Sequence, residues 1–148
     1  MDQTDKLILN EIQAKFPITS KPYYDLGKHL NLSEKETFDR VKKLKQKGII
    51  RRIGGNFHSS RLNFTSTLCA AKVPEEKIDH FVQVVNEYPG VTHNYLRKHV
   101  YNIWFTFIAD DMLTIQKSLS IISEKTGVTE ILNLPAIKTF KIKVDFPI

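Results

Sequence analysis

Apolar residues at helical spacing open the chain. Leu7, Ile8, Glu11, Ile12 and Phe16 follow helical spacing after Thr4, which is placed to cap a first helix that Pro17 stops. Pro22 suits the first turn of a second helix running to about Leu30. Asn31-Leu32-Ser33 is a short turn, and Ser33 with Glu36 three residues on has the form of a capping box. Phe38, Val41 and Leu44 carry a third helix that Gly48 ends. Residues Ile49 to Ile53 and Asn56 to His58, around Gly54-Gly55, predict a two-stranded wing. Residues 1–58 therefore predict a winged helix-turn-helix domain.

Beyond Asn63 the period changes from helical to alternating. Thr65 to Val73 predicts a strand, and Pro74-Glu75-Glu76 opens a helix through Ile78, Phe81, Val82 and Val85 to about Tyr88. Val91 to Arg97 and Tyr101 to Ala109 predict a hairpin around Lys98-His99. Asp110 or Asp111 starts a helix with Met112, Ile115, Leu119 and Ile122 inward, ending at Gly127. Val128 to Leu134 and Ala136 to Val144 give one or two closing strands. The order β-α-β-β-α-β is that of a ferredoxin-like domain over residues 59–148, so the fold class is α+β.

Charge separates the two parts. Residues 1–61 hold 13 Lys+Arg against 7 Asp+Glu, whereas residues 62–148 hold 9 of each, so the whole net charge of +6 lies in front. A polyanionic partner for the front module and a lysine-rich solvated surface both fit that asymmetry. No apolar run is long enough to span a membrane, and Met1 to Asn10 has no signal-peptide character, so the expected location is the cytoplasm. Cys69, the single cysteine, allows no intrachain disulfide or thiolate cluster. Its apolar surroundings predict an inert buried thiol.

The hairpin holds the candidate chemistry. Two of five histidines, two of five tyrosines, the one tryptophan and an arginine fall between Val91 and Phe105. Alternation along the first strand puts His93, Tyr95 and Arg97 on one face and Thr92, Asn94 and Leu96 on the other. A cluster of large polar side chains needs partners. Water or another subunit would serve, and so would a planar, carboxylate-rich ligand. Tyr101, Trp104 and Phe105 also fit a plain core. His29, His58 and His80 fit hydrogen-bonded structural positions, and the pair Asp110-Asp111 fits a helix cap. No common hydrolase, zinc-protease or nucleotide-binding motif occurs.

The segments Thr4-Asp-Lys-Leu-Ile-Leu-Asn-Glu-Ile-Gln13, Leu32-Ser33 and Arg40-Val-Lys-Lys-Leu-Lys-Gln-Lys-Gly-Ile-Ile-Arg-Arg-Ile53 resemble the front module of the Lrp/AsnC family. Gly90-Val-Thr-His-Asn-Tyr-Leu-Arg97 followed by Tyr101-Asn-Ile-Trp-Phe-Thr106 resembles a narrower group, the siroheme decarboxylases of an alternative haem pathway. The short hairpin containing His99 is most similar to the alpha type of subunit in that group. The resemblance implies removal of carbon dioxide from two acetate side chains of siroheme. It implies no added cofactor, because the iron comes with the tetrapyrrole substrate. It also implies a dimer with a homologous beta subunit. By resemblance, His93, Tyr95, Arg97 and His99 are catalytic candidates, His93 and His99 being the two that could meet the substrate iron. Tyr101, Asn102, Trp104 and Phe105 are candidates for substrate binding. The competing expectation is a DNA-binding regulator with a small-molecule-sensing domain, which the acids Glu34, Glu36 and Asp39 at the start of the third helix disfavour.

Overall fold

The structure, a computed structural model, describes residues 1–55, 57–142 and 145–148. The chain divides into two compact units, Met1–Gly55 with Phe140–Ile148, and Asn56–Thr139.

In the first unit, α1 (Gln3–Lys15), α2 (Pro22–Leu30) and α3 (Glu34–Gln46) bury Ile8, Leu9, Leu26, Val41, Leu44 and Ile50 together. Asp2, rather than Thr4, caps α1, because Asp2 and Asp5 each accept the other's backbone N–H. The Ser33 hydroxyl caps α3 by accepting from Glu36 N at 3.1 Å. The Glu36 carboxylate does not complete that box; it accepts from Arg40 Nε at 3.0 Å. Arg40 also donates to Asp2 at 2.8 Å and Asp5 at 2.9 Å, tying α3 to the start of α1. Gly27 makes the tight α2–α3 turn possible: a Cβ there would lie 2.7 Å from both Leu32 O and Thr37 Oγ1.

The expected wing does not form a ladder among the described residues of 49–58; Asn56 lies outside them. Ile50 turns into the helical core while Ile53 and Phe57 face solvent, so these short segments share no apolar face to bury. The last nine residues, expected with the second unit, cluster with the first. Gln13 donates to Phe146 O and accepts from Phe146 N, and Asn10 pairs with Ile148 in the same way.

In the second unit, β1 (Thr65–Ala71), α4 (Ile78–Asn86), β2 (Val91–Leu96), β3 (Ile103–Ala109), α5 (Met112–Thr126) and β4 (Ile131–Leu134) follow the expected order. The sheet is antiparallel throughout, with strand order β2-β3-β1-β4. Both helices pack on one face, where Phe81, Val84 and Val85 of α4 and Ile115, Leu119 and Ile122 of α5 meet Cys69, Ala71, Ile103, Phe105 and Phe107. Asp111 is the cap of α5, accepting from Thr114 N at 2.7 Å, and this bond holds its carboxyl below the usual range. Only one closing strand forms among the described residues; Pro135 lacks an N–H to continue β4, and Lys143 and Val144 lie outside the described residues. No helix of the described residues is long and apolar enough to cross a membrane.

Candidate functional site

The face of the sheet away from α4 and α5 carries the polar cluster. Pairing fixes it: Ile103, Phe105 and Phe107 of β3 are buried on the helix side, so Trp104 and Thr106 stand on the other. Tyr95 is opposite Trp104 and His93 opposite Thr106, which puts both on that same helix-free face. Close approach of the strands where β2 begins depends on Gly90, whose carbonyl accepts from Ile108 N at 2.9 Å. A Cβ at Gly90 would meet Ile108 O at 2.1 Å.

A chain of ring contacts links the cluster. The His93 and Tyr95 rings are stacked with centroids 6.1 Å apart. The Arg97 guanidinium lies 5.9 Å from the ring centroids of both Tyr95 and Trp104. His99 neighbours Trp104 edge-on and stacks on Tyr101, each at 6.5 Å. The loop between the strands is held from within. Arg97 N donates to Asn102 O at 2.7 Å, Trp104 Nε1 donates to Tyr101 O at 2.7 Å, and Tyr101 N donates to His99 Nδ1 at 3.1 Å. A backbone N–H can only donate, so His99 Nδ1 accepts and the neutral ring carries its hydrogen on Nε2.

Beside the cluster, Leu68 of β1 and Leu132 and Leu134 of β4 lie on the same face and stay about 40% exposed. Cys69 is on the opposite, helix side, where burial pushes its thiol up to about 12 and leaves no thiolate to react. Among the described residues no group of three or more His, Cys, Asp or Glu converges as a metal site.

Residues 61–141 match the family described as the AsnC-like ligand binding domain, and residues 5–51 match the siroheme decarboxylase NirDL-like HTH domain. The chain is 56% identical over 146 residues to the siroheme decarboxylase alpha subunit of Desulfovibrio desulfuricans, covering 99% of this chain and 84% of that one. The chain belongs to the siroheme decarboxylase family. The solved siroheme decarboxylase NirDL superposes with a TM-score of 0.73 at 29% identity, covering 98% of this chain but only 47% of NirDL. The chain thus spans about half the length of that solved relative. NirDL in co-complex with an iron-uroporphyrin III analogue matches equally, with a TM-score of 0.72 at 28% identity, covering 97% of this chain and 47% of that one.

Within this family member, the structure brings His93, Tyr95, Arg97, His99, Tyr101 and Trp104 to one surface. Two expected substrate contacts lie elsewhere. Phe105 is only 1% exposed, on the helix side, where it packs edge-on against Phe81; it is core. Asn102 commits its amide to Val73, donating to Val73 O at 2.8 Å and accepting from Val73 N at 2.9 Å. It pins the loop to the end of β1, with both polar atoms of its side chain engaged by the backbone.

Thr92 departs from simple alternation. A β-bulge between Val91 and His93 sets it on the His93 face, where its hydroxyl lies 2.7 Å from Thr106 Oγ1. Nothing in the residue order around Thr92 marks a bulge, which arises from the pairing of two strands. The remaining histidines have local partners: His58 with Ser60, His80 with Lys125 O, and His29 beside Glu11.

Proposed function

We propose that this chain is one subunit of a siroheme decarboxylase, a carboxy-lyase that converts siroheme to 12,18-didecarboxysiroheme, and that the macrocycle lies against the helix-free face of β2 and β3. The convergence of His93, Tyr95, Arg97, His99, Tyr101 and Trp104 on that face carries the proposal. For each acetate, one C–C bond breaks to release carbon dioxide, the electron pair passes into the conjugated ring, and one proton completes the new methyl. The iron belongs to the substrate, and no further cofactor is required.

The residues divide this work by their chemistry. Arg97, whose guanidinium sits over two rings, offers a planar fork to a propionate or acetate carboxylate of the substrate. Tyr95 and Trp104 supply aromatic surface to cover the ring. His93 is the proton donor, with Tyr101 a hydrogen-bonding neighbour of the site. His99, whose hydrogen is on Nε2, offers a second donor there, and that hydrogen leaves the nitrogen no lone pair for the substrate iron.

An open face cannot by itself exclude water from the departing carboxylate. Tyr95 is 50% exposed and the adjoining leucines form an apolar strip, a composition suited to a covering surface. We infer that a homologous beta subunit supplies it. The double length of the NirDL polypeptide supports a pairing of two such units. A reduced, buried Cys69 suits a cytoplasmic setting.

The test is anaerobic incubation of siroheme with this chain and its co-purified homologous subunit under reducing conditions, read by mass spectrometry. Loss of two carboxyl groups is expected. Unchanged siroheme, together with tight, salt-sensitive and sequence-selective binding to DNA duplexes, would establish the regulator instead.

A further inference from the structure

The bulge in β2 does more than bend the strand. His93 pairs with Thr106 and Val91 with Phe107, leaving Thr92 as the extra residue. Its hydroxyl reaches Thr106 Oγ1 at 2.7 Å and His93 Nδ1 at 3.1 Å, and Thr106 Oγ1 is itself 3.4 Å from Nδ1. The imidazole therefore has its Nδ1 edge turned onto two hydroxyls.

A hydroxyl both donates and accepts, and this sets His93 apart from His99. When the ring is doubly protonated, Nδ1–H donates to Thr92 and Thr92 donates to Thr106. Giving the Nε2 proton to substrate leaves the neutral ring with its hydrogen on Nδ1, and both bonds stay as they were. In the other neutral form, with the hydrogen on Nε2, Thr106 donates to Thr92 and Thr92 donates to Nδ1, so the two hydroxyls reverse and no bond is lost. His99 has no such freedom, because the Tyr101 N–H facing its Nδ1 cannot accept. Protonation there would set two donors against each other. Of the two histidines, His93 alone keeps its anchor through a cycle of proton gain and loss.

We propose that Thr92, carried onto the site face by the bulge and backed by Thr106, is a positioning residue for His93. It holds the ring so that Nε2 is the atom presented to substrate in either protonation state. This rests on the assignment of His93 as the proton donor.

The experiment uses the full chain with its homologous subunit, in the forms Thr92→Val, Thr92→Ser and Thr106→Val. Valine removes the hydroxyl at nearly constant shape; serine keeps it. In Thr92→Val, kcat for siroheme should fall about 10–100-fold, the usual cost of losing a supporting hydrogen bond behind a functional side chain, with KM changed less than about twofold. Thr92→Ser should recover most of it. Spectra of the complex carrying 15N-labelled histidine should show the His93 ring nitrogens moving in Thr92→Val, returning in Thr92→Ser, and the His99 signals unmoved. Thr106→Val, which keeps the bulge residue intact, should move the His93 signals in the same sense by a smaller amount. Unmoved His93 signals in both valine variants would refute the positioning role, whatever turnover does. His93→Ala with undiminished turnover would instead remove His93 from the reaction, while the nitrogen shifts would still decide whether Thr92 anchors its ring.

Discussion

Arg40 and Arg97 show what surroundings make of one side chain. Arg40 is held by Asp2, Asp5 and Glu36, all within 3.0 Å, and its charge is spent inside the helical unit. Among the described residues no carboxylate lies within ion-pair reach of Arg97, which rests over aromatic rings with its donors unspent. Arg97→Leu should therefore raise KM for siroheme roughly 10–100-fold, from the ~1.5–3 kcal/mol of a charged hydrogen bond, and Arg97→Lys should recover only part, because an ammonium lacks the planar fork. Steady-state kinetics of the complex check this; equal KM in parent and leucine variant would remove Arg97 from the site. The shared face of His93, Tyr95 and Arg97 was legible from alternation along the strand, whereas Trp104, which also fitted a plain core, joins that face only through its pairing with Tyr95. The fates of Phe105 and Asn102 were not legible there. Phe105 is assigned to the core only once its pairing with Cys69 fixes which face it takes. Asn102 depends on Val73, 29 residues away.

At the scale of elements, caps and periodicity predicted all five α-helices of the described residues, with Pro22, Ser33, Asp111 and Gly127 at or next to their ends. The wing was overpredicted because a glycine pair between apolar segments signals a hairpin only if those segments have something to bury. The bulge escaped because alternation assumes equal residue counts on paired strands. Gly90 anchors the start of β2 and so the placement of that bulge. Gly90→Ala should force β2 away from Ile108 and cost about 1–3 kcal/mol, the range for overpacked sites, with a parallel loss of turnover. Urea unfolding followed by activity assay measures both, and an unperturbed variant would show that strand separation at Gly90 is irrelevant to the site.

For the whole molecule, positive charge and chemistry sit in different units. Residues 1–61 carry 13 cations against 7 acids, yet α3 begins with Glu34 and Glu36 and its Arg40 is locked to carboxylates. The Arg40 guanidinium beside Asp2 holds that carboxyl below its ordinary value of 3.8. A group held low in the folded state contributes stability above its unfolded value and loses it as pH falls through the folded one. The stability advantage of the parent over Arg40→Leu should thus be full at pH 7 and shrink as pH drops below about 4, as melts across that range would show. A constant difference would mean that Arg40 acts through packing.

Contact of siroheme with the helix-free face of β2 and β3 can be read from hydrogen exchange of the complex, with and without siroheme under anaerobic conditions. Slowed exchange is expected over residues 91–106, including the loop bearing Arg97 and His99, with α1 to α3 unaffected. Protection confined to residues 1–55, with none in the hairpin, would contradict it.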